Sequence, residues 1–413
     1  MTDAILEVQG LTKHFPVKLP VLQRVLTREP PVVHAIDDVS FTLRAGEIFG
    51  LVGESGCGKT TVGRTVLRLL PPTSGTIRFD GIDITKMKEA DLRPIRKGMQ
   101  IIFQDPDAAL NPAMSIGQSI ADPLSIHQAA TPTEAKDAAL RIMTEVGLSP
   151  ADQLYNKYPS DLSGGQKQRA VIARAMILRP KLVVADEPVA MLDMSIRAKI
   201  LELMLDLKAR YGLTYIFITH DLATAKFICD RIAIMYLGRI VEVGDAKGIY
   251  AAPKHPYTQA LLGAIPIPDP DRRRFKTLPK GEVPDAIHPP MGCRFHPRCP
   301  VATPTCGWEG HDLFDVLEKR VLDPATAAED KLRLGPLGRI KSEGTRLRIP
   351  GRSIDTGVAT PHLQAILAKG PEAMARAVRS VGVRDGDVVV EFNPSEDPGM
   401  RTIENREVRC VLY

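Results

Sequence analysis

Apolar residues gather along this chain in short runs that do not alternate with polar ones. Glu47 to Val52 reads as a buried strand. Leu182-Val183-Val184-Ala185 reads as another, covered on both faces as in a parallel α/β sheet. Met99 to Phe103 is strand-like, and Thr214 to Thr219 is an apolar run that closes on His220. Helix-forming stretches lie between them: Thr60 to Leu70, stopped by Pro71-Pro72, and Lys167 to Leu178, which Ser163 can cap. Near the end, Pro361 to Val378 reads as a helix and Arg384 to Phe392 as a turn plus strand. Apolar runs of that kind predict a small folded α+β module there.

Length adds that one domain is too few: 413 residues predict two or three. The balance of 44% apolar and 25% charged residues is that of a globular protein with a real core. A net charge of +5, with bases and acids interspersed, argues against a nucleic-acid partner. The basic run Arg272-Arg273-Arg274 is too short to change this and reads as a solvated linker. No stretch approaches the length of about 18 apolar residues that spans a bilayer. Asp3 and Glu7 stand where a signal peptide would carry bases. The expectation is a cytosolic protein, or one held at a membrane by a partner, and this argues against structural disulfides among its six cysteines.

The chemistry begins at Gly53-Glu54-Ser55-Gly56-Cys57-Gly58-Lys59-Thr60, with Thr61 behind it. Strand, glycine loop and helix in that order make a phosphate loop: backbone amides close on the phosphates and the helix start adds positive potential. Lys59 supplies a point charge to the β- and γ-phosphates and Thr60 a hydroxyl to Mg²⁺. The buried run 182–185 ends in Asp186-Glu187, at the end of a strand where α/β sheets bind ligands. Asp186 is then the Mg²⁺ partner, and Glu187 can polarise a water toward the γ-phosphate.

A second anion-binding helix start, Leu162-Ser163-Gly164-Gly165-Gln166, follows the phosphate loop and precedes the acidic strand. That order resembles the ATP-binding cassette (ABC) family. The resemblance implies that two cassettes pair head to tail, so that Ser163, Gly164, Gly165 and Gln166 face the partner's ATP. It assigns Gln104 to the loop that senses Mg²⁺ and the membrane partner, His220 to the switch that contacts the γ-phosphate, and Asp193 to the dimer-facing loop. Phe15 is the candidate for stacking on adenine, with Phe41 as the alternative. The chain departs from the family at Ala190, where a hydroxyl residue is usual.

Further stretches resemble the ATP-binding subunits of dipeptide and oligopeptide importers: Ala35 to Phe41 with an insertion from Val17 to Val33 before it, Met235 to Glu242, His255 to Leu262, Ile265 to Pro268, and Gly292 to Pro300. This implies ATP hydrolysis that drives peptide import, with oligosaccharide, nickel or another small solute as alternative cargoes. It implies a second cassette of the same or another kind, two transmembrane permease subunits, an external solute-binding protein, and a peripheral place on the cytoplasmic face of the membrane. A non-transport ABC protein acting on nucleic acid or ribosomes usually carries two cassettes or a coiled coil, and this chain shows neither.

The expected fold is α/β. An ABC-type P-loop NTPase nucleotide-binding domain (1–255) has a helical subdomain between Gln104 and the signature and an antiparallel edge portion. A cysteine-containing C-terminal extension (256–310) follows, and then the α+β module (311–413). Cys57 and Cys229 read as ordinary small residues. Cys293, Cys299, Cys306 and Cys410 are the four thiols that a [4Fe–4S] cluster or a zinc ion requires, although their spacing is not that of a C-x-x-C site. Some relatives in the subfamily carry an iron–sulfur cluster at such cysteines, which the resemblance favours over zinc; His296 keeps zinc open, and free thiols in a loop-rich tail are the remaining alternative. On this reading residues 308–406 are inserted between the third and fourth ligands.

Overall fold

The computed structural model describes residues 4–17, 30–264, 279 and 281–413. Most of the insertion at 17–33, the run Ile265 to Pro268 and the bases Arg272 to Arg274 therefore lie outside the described residues. The chain divides into two compact units, Met1–Ala252 and Pro253–Tyr413.

The first unit opens with an antiparallel sheet of β1 (Ala4–Pro16), β2 (Val32–Arg44), β4 (Ser74–Phe79) and β5 (Ile82–Asp83), in the order β2-β1-β4-β5. Its parallel core uses β3 (Ile48–Val52), β6 (Met99–Ile102), β7 (Leu182–Asp186), β8 (Thr214–Thr219) and β9 (Arg231–Tyr236). An antiparallel strand, β10 (Arg239–Asp245), completes the order β10-β9-β3-β8-β7-β6 among the described residues of this unit. Every residue of β3, β7 and β8 is buried, because both faces of these strands are covered and no polar alternation is tolerated. The carboxyl ends of β3, β7 and β8 run directly into Gly53, Glu187 and His220, and that of β6 reaches Gln104 after one intervening residue, so one end of the sheet collects the chemistry.

The helices of this unit are α1 (Lys59–Val66), α2 (Glu89–Ile95), α3 (Pro106–Ala109), α4 (Ile116–Ile126), α5 (Pro132–Glu145), α6 (Ala151–Tyr155), α7 (Gly164–Met176), α8 (Met194–Tyr211), α9 (Leu222–Ile228) and α10 (Ala246–Ala251). Helices α3 to α6 form the helical portion between Gln104 and the signature. Helix α1 stops at Val66, four residues before the sequence expectation. Arg68 turns to φ 56 there, and its guanidinium donates to the carbonyls of Ile84 and Met87. The chain thus leaves the helix before the two prolines act.

In the second unit, α11 (Pro256–Ala264) precedes the cysteine loops. Then come α12 (Gly310–Leu322), α13 (Ala327–Leu334), β11 (Lys341–Glu343), β12 (Arg346–Ile349), α14 (Thr356–Lys369), α15 (Glu372–Ala377), β13 (Val378–Arg384) and β14 (Asp387–Phe392). A hairpin of β15 (Arg401–Ile403) and β16 (Arg406–Val408) leads to Cys410. The strands form an antiparallel sheet, β11-β12-β14-β13, packed against α12 and α14. Leu313, Leu317, Leu347, Leu363, Val388, Val390 and Phe392 fill the core between them. The single helix expected over 361–378 is two helices and the start of a strand. Asp355 caps α14 five residues earlier than expected, and Gly370-Pro371 ends it, since proline cannot continue the hydrogen-bond ladder. The expected turn and strand are present, with Asp385-Gly386 as a two-residue hairpin turn in which both residues have positive φ.

Candidate functional site

The glycine loop between β3 and α1 is built to receive phosphate. Ser55 and Gly56 are exposed at its crest. Gly56 has φ +81, and a Cβ there would meet nothing within 4 Å, so the backbone stands open for a close ligand. Lys59 is almost fully buried, and its Nζ donates to the carbonyls of Gly53 and Glu54 at 2.9 Å each, which holds the loop in its curve. The Cys57 side chain packs beneath the loop, 3.8 Å from that amine, and burial pushes its thiol up. It fills space, as the sequence suggested. Thr61 follows in the first turn of α1, where its carbonyl accepts from Thr65.

Thr60 and Asp186, the expected Mg²⁺ partners, meet in the structure. Thr60 Oγ1 donates to Asp186 Oδ1 at 2.8 Å, which brings hydroxyl and carboxylate to one point at the end of β7. Burial pushes the Asp186 carboxyl up, against the opposing pulls of Thr60, Arg64 and Lys59. A buried carboxylate of this kind gains from a nearby cation, and oxygen ligands from one hydroxyl and one carboxylate suit magnesium.

Glu187 adopts φ 47, a left-handed conformation that is strained for a residue with a side chain. Its amide donates to the carbonyl of Ile218 at 2.9 Å. His220 Nδ1 lies 3.0 Å from Glu187 Oε2, and Gln104 Nε2 donates to the same oxygen at 3.4 Å. The ends of β6, β7 and β8 thus bring together three of the residues that the sequence named. The structure separates the two aromatic candidates. Phe41 is in the core, stacked on Phe49 at 5.1 Å, whereas Phe15 is half-buried with Lys13 Nζ 4.9 Å above its ring.

The signature stands at a different surface, at the start of α7. Ser163 caps the helix as expected: Gln166 N donates to Ser163 Oγ, and the Gln166 side chain accepts from Ser163 N at 2.9 Å. Ser163 and Gly164 are exposed, while Gly165 is buried against Ile196 of α8. Asp193 caps α8 next to them, accepting from Ile196 N and from the Ser195 hydroxyl. Ala190 lies between the acidic strand and this cap.

In the second unit Cys293, Cys299, Cys306 and Cys410 line one small cavity, about a hundred residues of intervening chain notwithstanding. Gly307 takes φ +120 where a Cβ would sit 2.2 Å from the Met291 carbonyl, and this close approach seats Cys306 beside Cys293, whose amide donates to the Cys306 carbonyl. Burial pushes the Cys293 thiol up to about 12 and that of Cys299 up to about 11. Both ring nitrogens of His296 are engaged within the protein. Its Nδ1 is taken by the Cys293 carbonyl at 2.8 Å and its Nε2 by Asp312 at 3.0 Å. His255, which sequence reasoning left without a role, lines the same cavity. Burial pushes its imidazole down to about 3; Nδ1 accepts from Tyr257 N, and the backbone of Arg409, next to Cys410, also hydrogen-bonds the ring. The His255-Pro256-Tyr257 sequence was the available signal.

The comparisons with known proteins agree with this geometry. Residues 36–190 match the family model described as ABC transporter, and residues 241–306 match that of the oligopeptide/dipeptide transporter C-terminal region. The chain is 45% identical over 333 residues to a probable peptide ABC transporter ATP-binding protein of Sinorhizobium fredii, covering 79% of this chain and 93% of that protein. This chain belongs to the ATP-binding subunits of the ABC transporter family. It is also similar to the oligopeptide transport ATP-binding protein OppF of Salmonella typhimurium, at 46% identity over 73% of this chain and 90% of that protein. Among solved structures it is similar to the dimeric ATP-binding cassette MJ0796 in a post-hydrolysis state with ADP and phosphate, with 27% identity and a TM-score of 0.51 over 58% of this chain and 98% of that one. The cassette is an ATPase that works with ATP and Mg²⁺. Its family implies dimerisation and membrane permease partners. No helix among the described residues is long and apolar enough to cross a membrane.

Proposed function

We propose that this chain powers the import of di- or oligopeptides, through two permease subunits and with a second cassette of the same or another kind. The observation that carries the cargo is the similarity of residues 241–306 to the oligopeptide/dipeptide transporter C-terminal region. The subunit sits peripherally on the cytoplasmic face of the membrane, and an external solute-binding protein delivers the peptide.

Each residue then has a task. Phe15 stacks on adenine, and the amides of Gly53 to Thr61 hold the phosphates with Lys59. Thr60, Asp186 and Gln104 would hold magnesium, which would supply positive charge to the β- and γ-phosphates. Glu187 takes a proton from the attacking water as its oxygen bonds to the γ-phosphorus and the bond to the bridging oxygen of ADP breaks. His220 orients Glu187. The exposed Ser163 and Gly164, with Gly165 and Gln166 behind them, close on the ATP of the partner cassette, and Asp193 lies in the same dimer face.

The four cysteines fit a [4Fe–4S] cluster better than zinc. Thiolates on one zinc ion stand about 3.8 Å apart. Among the described residues no three cysteine sulfurs lie within 4.8 Å of one another, whereas a cubane gives each thiolate its own iron. The cluster would tie Cys410 to the loops of the other three and so fasten the end of the chain.

Loss of this subunit from its host abolishes uptake of labelled di- and oligopeptides, and the intact subunit restores it. Unchanged peptide uptake with loss of oligosaccharide or nickel uptake overturns the cargo.

A further inference from the structure

Outside the nucleotide site, one group of side chains among the described residues brings three metal-binding atoms together. One ring nitrogen each of His14 and His34 and a carboxylate oxygen of Asp37 all lie within 4.8 Å of one another. His14 on β1 and His34 on β2 are directly paired across the ribbon, and register shifts on either side of Lys13, the second immediately before His14, set the aim of the ring. The ring centroids are 4.2 Å apart. Asp37 is fixed from the far side, since its amide donates to the Gly238 carbonyl in the turn between β9 and β10.

The distances carry the inference. His14 Nε2 stands 3.6 Å from Asp37 Oδ1, and His34 Nδ1 stands 3.6 Å from Asp37 Oδ2. That is too long for a hydrogen bond. Each imidazole faces its own oxygen of the one carboxylate, so Asp37 would hold an ion through both oxygens, and 3.6 Å suits a nitrogen–oxygen pair on an ion with bonds of about 2.0–2.2 Å. We propose that His14, His34 and Asp37 form a site for a divalent transition cation of the zinc class, with a further coordination position open to water. Two imidazoles and one carboxylate are the donors such ions take. Arg239 Nη2 lies 3.7 Å from Asp37 Oδ2, so the carboxylate is shared between the guanidinium and the ion, which its lone pairs allow. The three residues are about a quarter exposed, so an ion can reach them.

The site is one rung from Phe15, which pairs with Val33 next to the His14–His34 rung. The effect on nucleotide rests on the proposed role of Phe15 at adenine: an ion bridging the two strands fixes the ribbon on which that ring stands. Bound metal therefore raises the affinity for ATP.

The test is a titration of the full-length protein, with its cysteine site already loaded, with Co²⁺ in the absence of nucleotide. The intact protein takes up one equivalent with ligand-field bands and no sulfur-to-metal charge transfer. His14→Asn and His34→Gln, taken singly, each weaken that uptake by at least about tenfold. Addition of Zn²⁺ tightens binding of a fluorescent ATP analogue in the intact protein and not in either variant. Equal uptake by the intact protein and both variants overturns the site, as does a cobalt spectrum dominated by thiolate charge transfer.

Discussion

Replacing Glu187 by glutamine is expected to lower ATP turnover by about 10²–10⁴-fold while leaving ATP binding intact. The two side chains have the same shape, so the glutamine keeps its place beside Gln104 and His220, but it cannot take a proton from water. Glutamine can adopt the same left-handed backbone that Glu187 has here, so the substitution adds no new strain. With hydrolysis blocked, ATP persists between paired cassettes, so the variant runs as a dimer in ATP and as a monomer without it. Steady-state phosphate release and sedimentation with and without ATP check both outcomes. Turnover within a few-fold of the intact protein would remove Glu187 from the chemistry.

Replacing Cys410 by serine has the largest expected effect on the second unit. The intact protein, prepared without oxygen, is expected to carry about four iron atoms and as many acid-labile sulfides per chain. The serine variant loses most of both, with a lower melting temperature, because one wall of the cavity then offers no thiolate. The thiols of Cys293 and Cys299 are raised by burial, so without a metal they stay protonated at neutral pH. Iron and sulfide analysis with visible absorption decides it. An intact protein that carries zinc alone, or no metal, contradicts the cluster.

Much of the nucleotide site was legible because its signals are local. The buried strand β7 needs an unbroken apolar run, and the carboxylates must follow it at once, so Asp186 and Glu187 announce themselves in five letters of context. The cap at Ser163 is equally local: the side chain and the Gln166 amide that it caps are three residues apart. The strand β13 was not legible, because Val378 to Arg384 lies at a sheet edge and its half-exposed residues give no clean period. The break at Gly370-Pro371 is a local signal, but the apolar spacing on either side of it also fits one longer helix. The choice between Phe15 and Phe41 depended on which ring the β1–β2 pairing buries, a matter of register that no single strand contains. For the same reason His14, His34 and Asp37 gave no signal: their meeting is a cross-strand event. The return of Cys410 to the other cysteines was suggested only by the resemblance to relatives, since an entire folded module intervenes.

This ATPase is expected to drive a membrane importer. The most direct measurement is to isolate the chain from native membranes and identify the proteins that accompany it. Two permease subunits and a second cassette are the predicted companions, and the solute-binding protein that docks on them is predicted to hold a peptide. Recovery with ribosomes or nucleic acid, and without permeases, would contradict the account and leave only the ATPase.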